Sequence, residues 1–370
     1  MNSYFLPLNV HIVFFITLFF IIGIIYAAYA APLLPLCITI VALGIKMIVQ
    51  LHKKQTLSLT YLLLTISIIA GYIRYNQQCA PFHNFYSQST KITCDVQGII
   101  TDILPIEHPR ANERITLLIN RIRITENSWI PARLYIHLYV KFPTSYLISD
   151  TVQFNSIVIK KPTSQSFSVY LIKEGITASI FYSGHNHQLL QRPSWCIWRW
   201  IYNSRQNIFQ RIRRKMTSKI FALFSSLFLG NRSLNKQLTE KTADQFRQWG
   251  ISHYLARSGL HLTLFSFIWR IALRTIPINF RFKQGLIFLL ILTYSLLSWA
   301  SVSFVRALHS FYLYILCNLL YLRPHFLHNL TLITLLILYM NPLQLFFLDF
   351  QLSFALTFGL AWINHLYRPN

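Results

Sequence analysis

With 370 residues, 54% of them hydrophobic and only 12% charged, at a mean hydropathy of +0.43, the chain is too apolar for a water-soluble globule and too long for a single anchor. Its charge is lopsided, 34 Lys and Arg against 10 Asp and Glu for a formal net of +24, which points to anionic lipid, nucleic acid or both as partners. The composition therefore predicts a polytopic α-helical membrane protein.

Hydrophobic runs near 10–29, 33–50 and 57–73 each have the length needed to cross a bilayer. The first has no small-residue cleavage pattern that outweighs the spans following it, and reads as an anchor, not a removed signal. Lys53 and Lys54 lie between the second and third runs, whereas 27–32 carries no charge. The positive-inside rule then places the N-terminus in the cytoplasm and everything after 73 outside. Residues 1–76 are thus expected to form a three-helix membrane region.

Residues 77–190 change character. Runs at 93–106, 114–124, 133–140, 150–160 and 176–182 are rich in β-branched and aromatic residues and are separated by Pro, Asn and Ser turns. Five short strands over this length suit an extracytoplasmic small β-barrel, OB-like in type, inserted between membrane regions. Arg110, Arg114, Arg121, Arg123 and Arg133, with Tyr135 and Tyr139, could form a face that stacks bases and neutralises phosphates. A barrel that only buttresses the membrane part is the plainer alternative. Of the five cysteines, Cys79 and Cys94 flank the entry to this region and are candidates for a disulfide in an oxidising compartment.

The segment 191–249 is basic and aromatic. Trp195, Trp198, Trp200, Tyr202 and Phe209 interleave with Arg199, Arg205, Arg211, Arg213, Arg214 and Lys215. Such a helix lies in a membrane surface with its guanidinium groups on lipid phosphates, or serves as a basic collar that concentrates DNA. Residues 220–230 are apolar but too short to cross, and 231–249 read as an amphipathic interfacial stretch.

From 250 to 370 a helix bundle is expected, with spans near 253–275, 285–301, 304–321, 327–340 and 344–365. The loops that should be cytoplasmic hold Arg274, Arg281 and Lys283, then Arg323, then Arg368, while those that should be outside hold no Lys or Arg. Polar groups cluster where three of these spans enter from outside. His253, Arg257 and His261, with Ser258, are spaced i, i+4, i+8 within an arc of about 80°. Ser303, Arg306 and His309 start a second span, and Asp349, Gln351 and Ser353 a third. One depth in the membrane is predicted for all three, with Asp349 and Gln351 as the counterparts of Arg306. The functional reading is a cation-lined vestibule. The structural alternative is an Arg306–Asp349 pair that locks the bundle.

Bond chemistry is not expected. Gly184-His-Asn-His187 lacks acidic company for a metal, no carboxylate lies near the 253–261 histidines to orient a base, and no GxxxxGK[ST] loop exists. Neither metal nor cofactor is predicted, and any energy source must be a partner or a gradient.

At these residues the chain resembles the ComEC family of bacterial competence proteins. Leu229-Gly-Asn-Arg232 and the stretch from Gly250 to His261 look like one family signature. Ser303-x-x-Arg306-Ala307, and Pro342 followed by Phe350-Gln-Leu-Ser-Phe354, look like two more in the right order. Asp150-Thr-Val, Lys161-Pro162, Tyr170-Leu171 and Gly175-Ile176 are similar to the end of the family's OB-like domain, so the resemblance runs from about 93 to 365. It implies passage of single-stranded DNA across the inner membrane, with a periplasmic DNA receptor outside and a cytoplasmic helicase-like ATPase inside. Self-association is left open. Arg257, Asp349 and Val302 depart from the family pattern, and the metallo-β-lactamase-like domain of longer members is not expected in this chain. The rival expectations are a membrane-tethered DNA- or partner-binding module and a truncated remnant without transport.

Overall fold

A computed structural model describes residues 8–29, 58–87, 90–124, 128–141, 145–184, 186–225, 259–298, 302–322 and 326–366, with Asp244 and Gln248 between them. The predicted span at 33–50, most of 231–249, and the positions of His253, Arg257 and Ser258 lie outside the described residues. Two compact units are present, one formed by 1–80, 269–288 and 302–370, the other by 81–268 and 289–301.

The first unit is helical. It contains α1 (Leu8–Ala28) and most of α2 (Ser58–Tyr86), which runs on past the predicted span and through Pro81. Both helices bury one face, with Phe20, Ile24 and Ile68 nearly inaccessible, and leave apolar side chains such as Phe15, Ile66 and Ile73 exposed on another. Gly23 lies against the Ile68 carbonyl and Gly71 against the Phe20 carbonyl, so any Cβ at either glycine would strike the facing backbone. Small residues thus let two antiparallel helices approach backbone to backbone. Phe20 and Ile24 of α1 join Leu330, Ile333, Ile337 and Leu338 in the core, together with Phe350 and Phe354. These belong to α9 (Phe326–Met340) and α10 (Leu348–Leu366), linked by a 3-10 turn at Pro342–Phe346. Arg74 of α2 donates from Nε to the Tyr339 carbonyl at 2.8 Å and from Nη2 to that of Met340 at 3.2 Å. It thereby satisfies carbonyls left open at the end of α9.

Three further helices are α6 (Gly259–Arg274), α7 (Phe280–Leu297) and α8 (Val302–Leu319). Among the described residues α7 is long and apolar enough to cross a membrane by length and composition, and 12–28, 326–340 and 348–361 are shorter apolar stretches. Leu348, Leu352, Leu356, Leu360 and Ile363 form an exposed stripe along α10 at roughly helical spacing.

The second unit is built on a six-stranded sheet. Its strands are β1 (Lys91–His108), β2 (Ala111–Ile124), β3 (Ile130–Val140), β4 (Thr151–Lys160), β5 (Ala178–Tyr182) and β6 (His187–Gln191). All five predicted strands are present, β6 is additional, and the order is β5-β3-β2-β1-β4-β6, with β3 and β5 parallel. The sheet is open, so the expected closed barrel is not completed by hydrogen bonds. Alternation explains its inner face: Ile115, Leu117 and Ile119 are fully buried while Arg114, Thr116 and Leu118 point the other way. Phe154 of β4 meets Tyr182 of β5 edge-on at 5.2 Å.

Helix α3 (Gln165–Glu174) was not expected. Ser164 caps its N-terminus and Gly175 ends it at φ 71°, where a side chain would be strained. The basic segment folds as α4 (Ile197–Lys215) and a short α5 (Ser218–Phe224).

The β4 entrance is held by one carboxylate. Asp150 is fully buried and accepts from Arg192 Nη2 at 2.7 Å, Arg199 Nη2 at 2.8 Å and the Leu147 N–H at 2.9 Å. Arg199 also donates to the carbonyls of Ile148 and Pro193. This latch fixes the exit of β6 and the first turn of α4 onto the sheet.

Candidate functional site

Arg306 sits in the second turn of α8, half-buried against α10. Its Nη1 donates to the Ser353 carbonyl at 2.7 Å and to Thr357 Oγ1, and its guanidinium lies over the Phe354 ring, 5.6 Å from the centroid. Thr357 Oγ1 returns to the Ser353 carbonyl at 2.7 Å, and Ser303 Oγ donates to Ser353 Oγ at 3.2 Å. Ser303 meets Ser353 while Arg306, one turn on, meets Thr357, one turn on from Ser353. The two helices therefore run in the same direction.

All of the acceptors around Arg306 are neutral. Its Nε is buried without a hydrogen-bond partner, and among the described residues no carboxylate pairs with it. The predicted counterparts are displaced. Asp349 is exposed, and Gln351 is exposed and donates to the Leu345 carbonyl at 2.9 Å. Helix geometry supplies the reason. Asp349 precedes Ser353 and Thr357 by four and eight residues, about 6 and 12 Å along the axis, and Gln351 lies about 200° round from Ser353. The locking Arg306–Asp349 pair is thus not formed, and Thr357, which continues the Ser353 face by i+4, is the member that sequence reasoning missed.

His309 is one turn beyond Arg306. Its Nδ1 lies 2.7 Å from the Val305 carbonyl, and its ring borders an apolar cavity of about 820 Å³ among Phe20, Leu63, Phe288, Leu316 and Leu336. His261 occupies the first turn of α6 in the other unit, half-buried. Of the predicted path, then, the structure brings together Ser303, Arg306 and Ser353.

Elsewhere three expectations are corrected. Arg199 is no free cation, because Asp150 and two carbonyls occupy its guanidinium. Arg205 lies over the Tyr202 ring at 5.4 Å, while Arg211, Arg213, Arg214 and Lys215 are exposed in the last turns of α4. Cys79 and Cys94 are both free, so no disulfide links them. Cys94 points into the sheet's packed face, and burial pushes its thiol up to about 12, far from a reactive thiolate. Among the described residues no cluster could hold a metal ion.

Arg123, expected on a strand-binding face, is bound to Asp95 at 2.6 Å and stacked on Trp129. A different outer face emerges from the register, in which Leu104, Arg114, Tyr139 and Phe181 stand side by side across β1, β2, β3 and β5. Phe181 contacts Tyr139 at 5.0 Å and His108 at 5.3 Å.

The site is a half-buried arginine in a helical unit, held by neutral groups and without a carboxylate partner among the described residues. Residues 227–369 match the family model described as Competence protein, consistent with a ComEC-family protein and supporting a role in DNA uptake. The match includes α6 to α10 and the Arg306 cluster, and leaves the sheet outside it. No curated protein and no solved structure matches the chain.

Proposed function

We propose that the chain is a multi-pass subunit of the cell inner membrane that passes single-stranded DNA into the cytoplasm during natural transformation. It acts by electrostatic guidance and not by bond chemistry. The carrying observation is Arg306, a half-buried cation whose partners are all neutral. A charge left in that state costs several kcal/mol unless an anion or water meets it, and a passing phosphate would recover part of that cost. The Ser353 carbonyl and the Thr357 hydroxyl supply the neutral acceptors that hold the guanidinium between phosphates, and Ser303 donates to the Ser353 hydroxyl beside them. His253, Arg257, Ser258 and His261 would continue the path. A DNA receptor on the outer side and a helicase-like ATPase on the inner side would deliver and draw the strand. The exposed leucine stripe of α10 and the apolar α7 support placement in lipid.

In a competent host, Arg306→Ala should lower internalised labelled DNA by roughly tenfold, the equivalent of about 1.4 kcal/mol, with Arg306→Lys between it and the parent. Normal uptake at normal protein level would overturn the proposal.

A membrane-tethered binding module is the second reading, favoured by the Arg114–Tyr139–Phe181 row, whose rings could stack bases. It requires that Phe181→Ala weaken DNA capture while Arg306→Ala leaves uptake unchanged.

A further inference from the structure

The corner between β6 and α4 exposes large apolar side chains in quick succession. Leu189, Leu190 and Ile197 are each more than two-fifths exposed, and Trp195, Trp198 and Trp200 stand at 73%, 65% and 62%. So much apolar surface over so short a stretch marks an interaction site. Helix α4 contains no Asp or Glu, and Arg211, Arg213, Arg214 and Lys215 are exposed at its far end. A patch of this composition fits a surface that is apolar beneath and anionic above.

Its location is fixed by a second observation. Trp198, Tyr202 and Arg205 share a cavity of about 440 Å³ with Leu296, in the last turn of α7. Since α7 has the length and apolarity to span a bilayer, its end marks the depth of the headgroups, where tryptophan is enriched. Base stacking explains the patch less well, because Leu189, Leu190 and Ile197 offer no ring. The Asp150 latch holds Arg192 and Arg199 on either side of Trp195 and so sets the attitude of the corner.

We propose that the β6–α4 corner is an interfacial anchor that seats the sheet unit on anionic phospholipid, through Trp195, Trp198 and Trp200 in the headgroup layer and Arg211 to Lys215 on the phosphates. The proposal rests on the membrane placement above. The test uses the full chain in vesicles of phosphatidylcholine with or without phosphatidylglycerol, in a cysteine-free background. An environment-sensitive fluorophore is attached through W198C, through S166C on exposed α3, and through L289C within α7. The label at 198 should be shielded severalfold from aqueous iodide relative to 166, be quenched by headgroup nitroxide, and be shielded further by phosphatidylglycerol. Equal iodide access at 198 and 166, with 289 shielded, would overturn the anchor and spare the membrane placement. Shielding at 198 that depends on added single-stranded DNA would overturn it in favour of a nucleic-acid surface. Open access at 289 would remove the membrane placement itself.

Discussion

Asp150 in the sheet unit and Arg306 in the helical unit are both charges drawn away from water, and the chain treats them oppositely. Asp150 is closed in by two guanidinium groups and a backbone N–H, with nothing left to bind. Arg306 is given a carbonyl, a hydroxyl and a ring, each a dipole or quadrupole and none a countercharge. Full neutralisation is how a buried ion serves as a joint. Partial satisfaction leaves a field that a mobile anion can enter, and the guidance proposed for Arg306 rests on that difference.

The sharpest way to break the comparison is Asp150→Ala. Two arginines would lose their common partner, and a destabilisation of about 4 kcal/mol is expected, read as a lower Tm and earlier proteolysis at the β6–α4 junction. If Asp150→Ala left both unchanged, the carboxylate would be no joint. A smaller effect is expected from His137, which is buried and hydrogen-bonded to Thr116 at 3.2 Å. Burial and the nearby Arg114 charge push its imidazole down to about 4 from 6.5. The unfolded chain therefore binds the proton first as pH falls. Stability from the neutral ring is complete above 6.5 and is lost between there and 4, by up to about 3 kcal/mol. Denaturant titrations across that window should show the fall, and His137→Phe should flatten it.

Arg306→Met tests the other side of the comparison. Because the cation has no countercharge to strand, the apolar replacement should leave the unfolding free energy within about 1 kcal/mol of the parent or raise it, while DNA uptake falls. A collapse in stability would make Arg306 a joint like Asp150. The smallest effect belongs to Asp95. Burial alone would raise its carboxyl, but the Ser156 N–H and the hydrogen bonds and charge of Arg123 hold it below the ordinary range. Its contribution is present above the ordinary carboxylate pKa and lost as pH falls through the lowered one. Asp95→Asn should remove about 1 kcal/mol or less near neutrality, as for a partly exposed pair.

What the sequence disclosed and what it hid follow from the range of the interactions. Strands β1 to β5 were legible because one sheet face is buried and alternation records it. β6 was not, since His187–Gln191 is an exposed edge strand with no buried face to impose a pattern. Helix α3 carried readable signals, Ser164 and Gly175 at its two ends, that the β-branched and aromatic residues between them obscured. Serines 303 and 353 were placed near Arg306 by entry side alone, and Thr357 was recoverable from its spacing to Ser353. Arg199 was misread because its partner Asp150 is remote in sequence, and only the folded sheet brings them together.

The contact of Gly23 and Gly71 with opposing carbonyls has a mechanical corollary. Helices joined main chain to main chain leave no side-chain layer to shear, so α1 and α2 behave as a single stave. If a strand passes as proposed, any widening would have to follow a softer seam, and the apolar hollow beside His309, bordered by aliphatic and aromatic side chains, offers one.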